Sequence, residues 1–253
     1  MKGVLLDIEG VIRDSKNAFH HAYELALASV GLKLVDYPAD TWRLRGFAEF
    51  NHQKEFLKAI YAIVKNGERV SHVLWKKYPV QYVYDLMKTT SPTKEEMERM
   101  EEAYMKEITN PRVLRRISPI RAGKKGVKML NEMGFKIGAV TNAKKDYNYM
   151  WLVDREMHDY FNTIITSEDA PQPKPAPDMI LKACKNIGLK PKEVYYLGDS
   201  EADIMAAKAA GCTPIGIDSN STEKSRLREL GAEEIYSSVT DFALKLRRSG
   251  KNE

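Results

Sequence analysis

The stretch GVLLDIEG, residues 3–10, decides how this chain begins to fold. Its apolar run has the length and β-branched content of a buried strand over residues 3–8, with two acids near the carboxyl end. Side chains alternate along a strand, so Asp7 and Glu9 fall on the same side if the extended backbone continues through them. Gly10 then lets the chain turn. The stretch predicts a first strand that delivers two carboxylates to one site.

Four further apolar runs have strand length, and helical patterns separate the later ones. These predicted strands cover residues 136–141, 163–167, 194–198 and 213–217. The helical patterns end at Gly188 and Gly211, which are plausible C-terminal stops. Alternating strands and helices predict an α/β fold with a parallel sheet, helices on both faces and ligands outside the carboxyl ends of the strands.

Residues 15–116 break this alternation because their apolar residues recur at helical spacing instead. Thr93 and Glu96 have the spacing of a capping box, and Pro79 either kinks a helix or starts a new one. We therefore predict an all-helical cap domain at 15–116, inserted between the first two strands of a catalytic core formed by 1–14 and 117–253.

Bulk composition narrows the function classes. The 253 residues include 40 Lys and Arg against 35 Asp and Glu, and both signs are interleaved. This weakly basic surface suits a phosphorylated small molecule and argues against a nucleic-acid partner, which calls for clustered basic residues. No apolar stretch approaches the roughly 20 residues of a membrane span. Because the N-terminus enters a strand at once, we expect a cytoplasmic protein without a signal peptide.

Two acidic pairs follow predicted strands. Asp7 and Glu9 would repel each other at one site, and a hard, oxygen-ligated cation such as Mg²⁺ would relieve that repulsion, as would a shared proton. Asp199 ends the fourth strand, and Asp203 lies one helical turn later. Each pair has a simpler interpretation: the first caps a strand in solvent, and the second caps a helix and complements its dipole.

Three other polar residues stand at strand ends. Thr141 and Asn142 follow the second strand, where donors at a helix start suit a phosphate oxygen, although both are also ordinary helix caps. Lys174 lies at the centre of a segment with four prolines, residues 171–177. A lysine held in a stiff loop is better placed to bind an anion than a lysine on a mobile loop, which is usually just solvated.

These motifs together resemble the four motifs of the haloacid dehalogenase superfamily, in order and spacing, from Asp7 through Lys174 to Asp203. The resemblance implies a Rossmann-like sheet. It also implies that the helical insertion is a cap, similar to those of phosphoglycolate phosphatase-like and β-phosphoglucomutase-like members.

The resemblance further implies roles for individual residues. Asp7 is implied as the nucleophile that forms an aspartyl-phosphate. Mg²⁺ is implied to bind the Asp7 carboxylate, the Glu9 backbone carbonyl and Asp199, with Asp203 contributing directly or through water.

The phosphate would be held by Thr141, the backbone of Asn142 and Lys174, again by resemblance. Glu9 would protonate the leaving alcohol and then activate water.

Glu9 departs from the family pattern, since phosphatases of this type usually carry aspartate there. The extra methylene moves the carboxyl group relative to the substrate, and a displacement of about 1 Å can cost roughly a hundredfold in rate. An acid at this position also argues against a dehalogenase, which would need neither the metal nor the acid.

The function predicted is a Mg²⁺-dependent phosphatase acting on a small phosphorylated metabolite, as a monomer or homodimer. Arg45 precedes a turn glycine in the cap, where it either contacts the substrate or is an ordinary surface arginine. The alternatives are a phosphomutase of the same fold and a non-catalytic phosphate-binding or regulatory protein.

Overall fold

The computed structural model describes residues 1–249, except for the side chains of residues 121, 146 and 147. Its centre is a six-stranded sheet in which every pairing is parallel. The strands are β1 (Gly3–Leu6), β2 (Lys136–Val140), β3 (Thr163–Ile165), β4 (Val194–Gly198), β5 (Thr213–Ile217) and β6 (Glu234–Tyr236). Their order across the sheet is β3-β2-β1-β4-β5-β6.

Strand β1 lies between β2 and β4. Leu6 pairs with Ala139 on one side and with Leu197 on the other, so the three strands end level with one another. The backbone N–H of Asp7 continues the ladder by donating to Leu197 O at 2.9 Å. The order of strands reverses at β1, and the carboxyl edge at such a point is where α/β folds bind ligands.

Seven α-helices fill residues 16–116, which follow β1, with a 3₁₀ helix at Ala48–Phe50. They are α1 (Lys16–Ala28), α2 (Pro38–Arg45), α3 (Gln53–Lys65), α4 (Val70–Leu74), α5 (Pro79–Thr89), α6 (Lys94–Ile108) and α7 (Pro111–Arg116). Their apolar faces form a hydrophobic cluster of their own, which includes Tyr23, Phe56 and Tyr104. We call this segment, residues 16–116, the helical insert.

Six more α-helices follow within the described residues, α8 directly before β2 and the other five among the later strands. They are α8 (Arg121–Glu132), α9 (Lys145–Asp154), α10 (Asp178–Ile187), α11 (Glu201–Ala210), α12 (Lys224–Leu230) and α13 (Val239–Ser249). Along β1, Val4 and Leu6 pack into a cluster with α8, α9 and α13, whereas Leu5 packs with α10 and α11. Helices therefore cover both faces of the sheet, and the predicted fold class is confirmed.

The predicted strand ends run one or two residues too far in three cases. Strand β1 ends at Leu6, β2 at Val140 and β3 at Ile165, because the polar residues that follow leave the pleat to reach the edge of the sheet. Strand β6 was not predicted. It has three partly or fully exposed residues at the sheet edge, too few to produce a recognisable pattern.

Helix boundaries in the insert follow local signals. Pro79 begins α5 rather than kinking a longer helix. Thr93 Oγ1 accepts from Glu96 N at 3.1 Å and Glu96 Oε2 accepts from Thr93 N at 2.8 Å, so the capping box is confirmed. The division into domains at residues 14 and 117 stays a prediction. None of the helices in residues 1–249 combines the length and apolar composition that crossing a bilayer needs.

Candidate active site

A cavity lies between the carboxyl edge of the sheet and the helical insert. The sheet side contributes polar residues and the insert contributes a mixed surface. On the sheet side, the lining residues include Asp7, Glu9, Thr141, Asn142, Asp199 and Ser200. On the side of the insert, they include Phe19, Trp42, Arg45, His52, Lys54, Glu101 and Tyr104. Carboxylates, amides and hydroxyls thus face a partly aromatic wall.

Asp7 lies one residue beyond β1 and is 7 % exposed. Its Oδ1 accepts from the backbone N–H of Ile8 at 2.8 Å and lies 3.1 Å from Lys174 Nζ. Burial raises the pKa of Asp7 well above its ordinary value. Lys174 opposes this shift, whereas the carboxylates of Asp203, Glu9 and Asp199 reinforce it. An ionised Asp7 therefore needs positive charge nearby.

Lys174 supplies part of that charge from a fully enclosed position. Its Nζ donates to Asp203 Oδ1 at 2.6 Å, Tyr196 Oη at 3.0 Å and Val140 O at 3.1 Å. Burial by itself lowers the pKa of Lys174, but Asp203 and Asp7 outweigh burial and raise it above its ordinary value. The ammonium group is therefore fixed as a cation beside the Asp7 carboxylate.

The loop that carries Lys174 is held by Asn142. Lys174 N donates to Asn142 Oδ1 at 2.8 Å, and Asn142 Nδ2 donates to Lys174 O at 2.9 Å. The Lys174–Pro175 peptide bond is cis. The side chain of Asn142 therefore binds protein groups, and its predicted contact with phosphate would come from the backbone.

The second acidic pair joins the first at this edge. Asp7, Asp199 and Asp203 each offer a carboxylate oxygen within 4.8 Å of the others. Gly10, at φ +74°, allows this approach, since a Cβ there would overlap Asp199 Oδ2. Burial first, and then Asp203, raise the pKa of Asp199 to about 7. Three buried carboxylates at such separations repel one another unless protons or a cation intervene.

Asp203 lies deepest of the three. Its Oδ1 accepts from Lys174 and from Tyr196 Oη at 3.0 Å, and its Oδ2 accepts from Ser200 N at 3.1 Å and Ser200 Oγ at 2.6 Å. Both oxygens thus have protein donors. Direct binding of a cation by Asp203 would have to compete with them, whereas a contact through water would not.

The residues fit a hard divalent cation. Their donors are oxygens, which Mg²⁺ and Ca²⁺ prefer. The hydrogen bonds of the described residues engage Asp7 Oδ1 and, through Ser219 Oγ, Asp199 Oδ2. One oxygen of each carboxylate therefore remains for a cation, which would also offset the burial and the repulsion that raise the pKa values of Asp7 and Asp199.

Glu9 takes a different position from the aspartates. Its Oε2 accepts from Thr141 Oγ1 at 2.8 Å, and its Oε1 forms a short ion pair with Arg13 Nη2. Burial raises the pKa of Glu9, but Arg13 and the Thr141 hydroxyl outweigh it and lower the pKa below its ordinary value. The Thr141 proton therefore points to Glu9 in this structure, and the predicted contact of Thr141 with phosphate stays a prediction.

Arg45 lines the cavity wall formed by the insert. Its guanidinium lies over Phe19, 4.9 Å from the ring centroid, and donates to Tyr23 Oη at 2.5 Å and Asn51 O at 3.1 Å. These contacts fix the group within the insert core while its edge stays at the cavity. Its role in substrate binding stays a prediction.

Hydrogen bonds join the insert to the sheet around the cavity. Asn142 Nδ2 donates to Asn51 Oδ1 at 2.9 Å, and Glu201 N donates to Gly46 O at 3.0 Å. On the side of Asp199, Trp42 Nε1 donates to Ser219 Oγ at 3.4 Å. These contacts hold the insert against the carboxyl edge of the sheet, beside the cavity that Asp7 lines.

Sequence reasoning missed several residues that hold this site. Tyr196 is an ordinary strand residue by pattern, Ser219 lies beyond the last motif, and Asn148 follows Thr141 and Asn142 closely but in a stretch without a recognisable motif. Arg13 alone left a signal, because a charged residue in the otherwise apolar run before Asp14 needs a partner when buried. Its partner, Glu9, is four residues earlier.

Comparisons with known proteins agree with this geometry. The family model described as haloacid dehalogenase-like hydrolase matches residues 4–217, which include every motif residue named above. The chain belongs to the haloacid dehalogenase-like hydrolase family. Among curated relatives of this hydrolase, phosphoglycolate phosphatases of Salmonella choleraesuis and Escherichia coli K12 are each 32 % identical over 126 residues. That match covers 49 % of the chain, which spans about half the length of those relatives (50 %).

Solved structures extend the fold likeness to nearly the whole chain. A hydrolase from Pseudomonas syringae superposes with a TM-score of 0.71 at 20 % identity, covering 98 % of this hydrolase and 99 % of that chain. A predicted phosphoglycolate phosphatase from Haemophilus somnus superposes with a TM-score of 0.73 at 19 % sequence identity, covering 98 % of each chain. At such identities the likeness concerns the fold.

Proposed function

We propose that this hydrolase is a Mg²⁺-dependent phosphatase that cleaves small phosphorylated metabolites through an aspartyl-phosphate on Asp7. The observation that supports this most directly is the Asp7 carboxylate, which lies 3.1 Å from the Lys174 ammonium and beside Asp199 in a cavity that the insert helps to line. The curated relatives named as phosphoglycolate phosphatases support a phosphate ester as substrate.

In this proposal the Asp7 carboxylate attacks phosphorus, while the Lys174 ammonium and the Ile8 N–H hold it in place. The P–O bond to the leaving group breaks as the Asp7 O–P bond forms, and in this proposal Glu9 gives the leaving oxygen the proton that it later recovers from water. When bound, Mg²⁺ supplies positive charge that keeps Asp7 ionised and offsets the charge on the transferring group. Asp199 and the Glu9 carbonyl would hold it with Asp7.

Asp203 has a supporting role in this proposal. Because both of its oxygens accept from protein donors, it orients Lys174 and reaches the cation through water. Asn142 fixes the backbone of the Lys174 loop, and Thr141 shares its hydroxyl between Glu9 and the phosphate oxygens. Each of these residues acts on the position of charge around Asp7.

The second half-reaction needs a base. The aspartyl-phosphate is hydrolysed when water attacks phosphorus and passes a proton to a nearby carboxylate, which is Glu9 in this proposal. The products are free phosphate and the regenerated Asp7. The Arg45 edge, with Lys54 and His52, would meet the organic part of the substrate on the insert wall.

The test is release of inorganic phosphate from a panel of phosphorylated metabolites and from an aryl phosphate, with Mg²⁺ or with a chelator. We expect release that needs Mg²⁺ and that Asp7→Asn reduces at least about a thousandfold. Asp154→Asn, which changes an exposed aspartate on α9, is the matched control and should retain full activity.

Three results would contradict the proposal. Transfer of phosphate between substrate positions through a bisphosphate, without free phosphate, would indicate a mutase. Phosphate binding without turnover of any panel member, in a protein that melts cooperatively, would indicate a sensor. An activity that survives Asp7→Asn would reject the nucleophile.

A further inference from the structure

Arg13 is a charged residue in the interior of the protein. Its relative exposure is 0 %, and its guanidinium lies over the Trp151 ring at 5.3 Å from the centroid. The Nε group donates to Ser15 Oγ at 3.1 Å, and Nη2 donates to Asn148 Oδ1 at 2.6 Å. A buried guanidinium is costly unless paired, so its location calls for a reason.

The reason lies in the turn that follows β1. Arg13 N donates to Ile8 O, and Gly10 N donates to Arg13 O, both at 2.9 Å, so the chain folds back on itself between these residues. This turn places the Arg13 guanidinium against Glu9 Oε1, in a short ion pair. The cation is thus built into the same loop as the carboxylate that it binds.

Glu9 is consequently held from two sides. Arg13 binds one carboxylate oxygen, and Thr141 Oγ1 donates to the other at 2.8 Å. A glutamate side chain has one more rotatable bond than aspartate and places its carboxyl group about 1.5 Å farther from the backbone. Two anchors remove that freedom and keep the carboxylate at the cavity edge.

Arg13 is itself anchored by helix α9. Asn148 is fully buried there, and its Nδ2 donates to Lys144 O at 2.7 Å, which orients its Oδ1 toward Arg13. Trp151, one turn later on α9, is fixed in turn by a hydrogen bond from its Nε1 to Ile117 O at 3.0 Å. The chain of contacts thus runs from α9 through Arg13 to Glu9.

We propose that Arg13 is a positioning residue for catalysis, which sets the place of the Glu9 carboxylate, and that Asn148 holds Arg13 for this purpose. The inference rests on the proposed function, because it assumes that Glu9 takes part in turnover. The proposed role of Arg13 concerns the rate of turnover. Binding of the phosphate group depends instead on other groups, including Asp7, Lys174 and the cation.

The test is a double-mutant cycle on the full-length protein at saturating Mg²⁺. We expect Arg13→Met to lower kcat about 10- to 100-fold, with KM and the inhibition constant of inorganic phosphate within about threefold of wild type. In a Glu9→Gln background, the same Arg13→Met change should alter kcat less than about threefold, because no carboxylate remains to be positioned.

Two milder variants keep the test valid if Arg13→Met does not fold, as judged by its melting curve. Arg13→Lys retains a cation and should recover part of the kcat lost in Arg13→Met. Asn148→Ala should lower kcat about three- to tenfold, again only when Glu9 is present. A purely structural role for Arg13 would lower kcat equally in both backgrounds.

The proposal is overturned if Arg13→Met, or Asn148→Ala where the first variant does not fold, keeps kcat within twofold of wild type. It is also overturned if the loss persists undiminished with Glu9→Gln. Failure of the proposed function is distinct, since wild type would then release no phosphate or Asp7→Asn would remain active.

Discussion

Lys174 Nζ donates to Asp203 Oδ1 at 2.6 Å, and both side chains are almost completely buried. The same ammonium lies 3.1 Å from Asp7 Oδ1. A single lysine therefore joins the deepest carboxylate to the proposed nucleophile, and its removal leaves both uncompensated.

We expect Lys174→Met to abolish phosphate release and to lower the free energy of unfolding by about 3–5 kcal/mol, as breaking a buried ion pair does. Adding Asp203→Asn should restore part of the stability but none of the activity. Urea unfolding measures the stability of both variants, and phosphate release measures their activity. Lys182→Met, at a partly exposed lysine on α10 near Asp169, is the control and should change stability by less than about 1 kcal/mol. A Lys174→Met protein as stable as wild type would contradict the assignment.

The raised pKa of Asp199 predicts how the metal-free protein responds to pH. Its pKa is about 7 in the folded protein against an ordinary value of 3.8, so the folded state holds a proton that the unfolded state releases. This carboxyl group therefore stabilises the fold at low pH, and its contribution is lost as pH rises from about 4 through 7.

In a chelator, the melting temperature of Asp199→Asn should rise relative to wild type between pH 5 and pH 8, because the amide cannot ionise. Mg²⁺ should raise the melting temperature of wild type at pH 8 more than that of the variant. Parallel pH profiles of the two proteins without metal would show that Asp199 titrates normally.

Glu9→Asp tests whether the site is built for glutamate. The shorter side chain should lose contact with Arg13 or with Thr141, which together hold the Glu9 carboxylate. We expect kcat on simple phosphate esters to fall about tenfold or more, with Mg²⁺ dependence unchanged. Equal or higher activity would mean that the extra methylene limits the native enzyme, as the family pattern alone suggests. Glu9→Gln gives the level of activity without a carboxylate.

Gly10→Ala should disturb the cation site. At Gly10 the backbone has φ +74° and an added Cβ would overlap the Asp199 carboxylate. We expect a several-fold higher Mg²⁺ concentration for half-maximal activity and a stability loss above the roughly 1 kcal/mol that positive φ alone costs. Gly31→Ala is the matched control, because Gly31 has φ +76° and no atom within 4 Å of the added Cβ. Equal effects of the two changes would exclude steric contact with Asp199.

Much of the candidate site could be predicted because its residues directly follow strands. Asp7, Thr141 and Asp199 come just after β1, β2 and β4, and parallel strands place such residues at one edge. The exposed and short β6 gave no comparable signal. Contacts of Asn51 and Ser219 with the site also gave none, since they depend on how the insert and a distant loop meet.

The sequence by itself determined five of the six strands, the helical insert and the set of acids at the sheet edge, because local periodicity and strand-end position encode them. Only the tertiary structure decided how those acids are paired. It directed Lys174 to Asp203 as well as to Asp7, and it bound Glu9 to Arg13 under α9. Pairing depends on distances of a few ångströms between side chains from separate elements, and burial makes each such pairing decisive for charge.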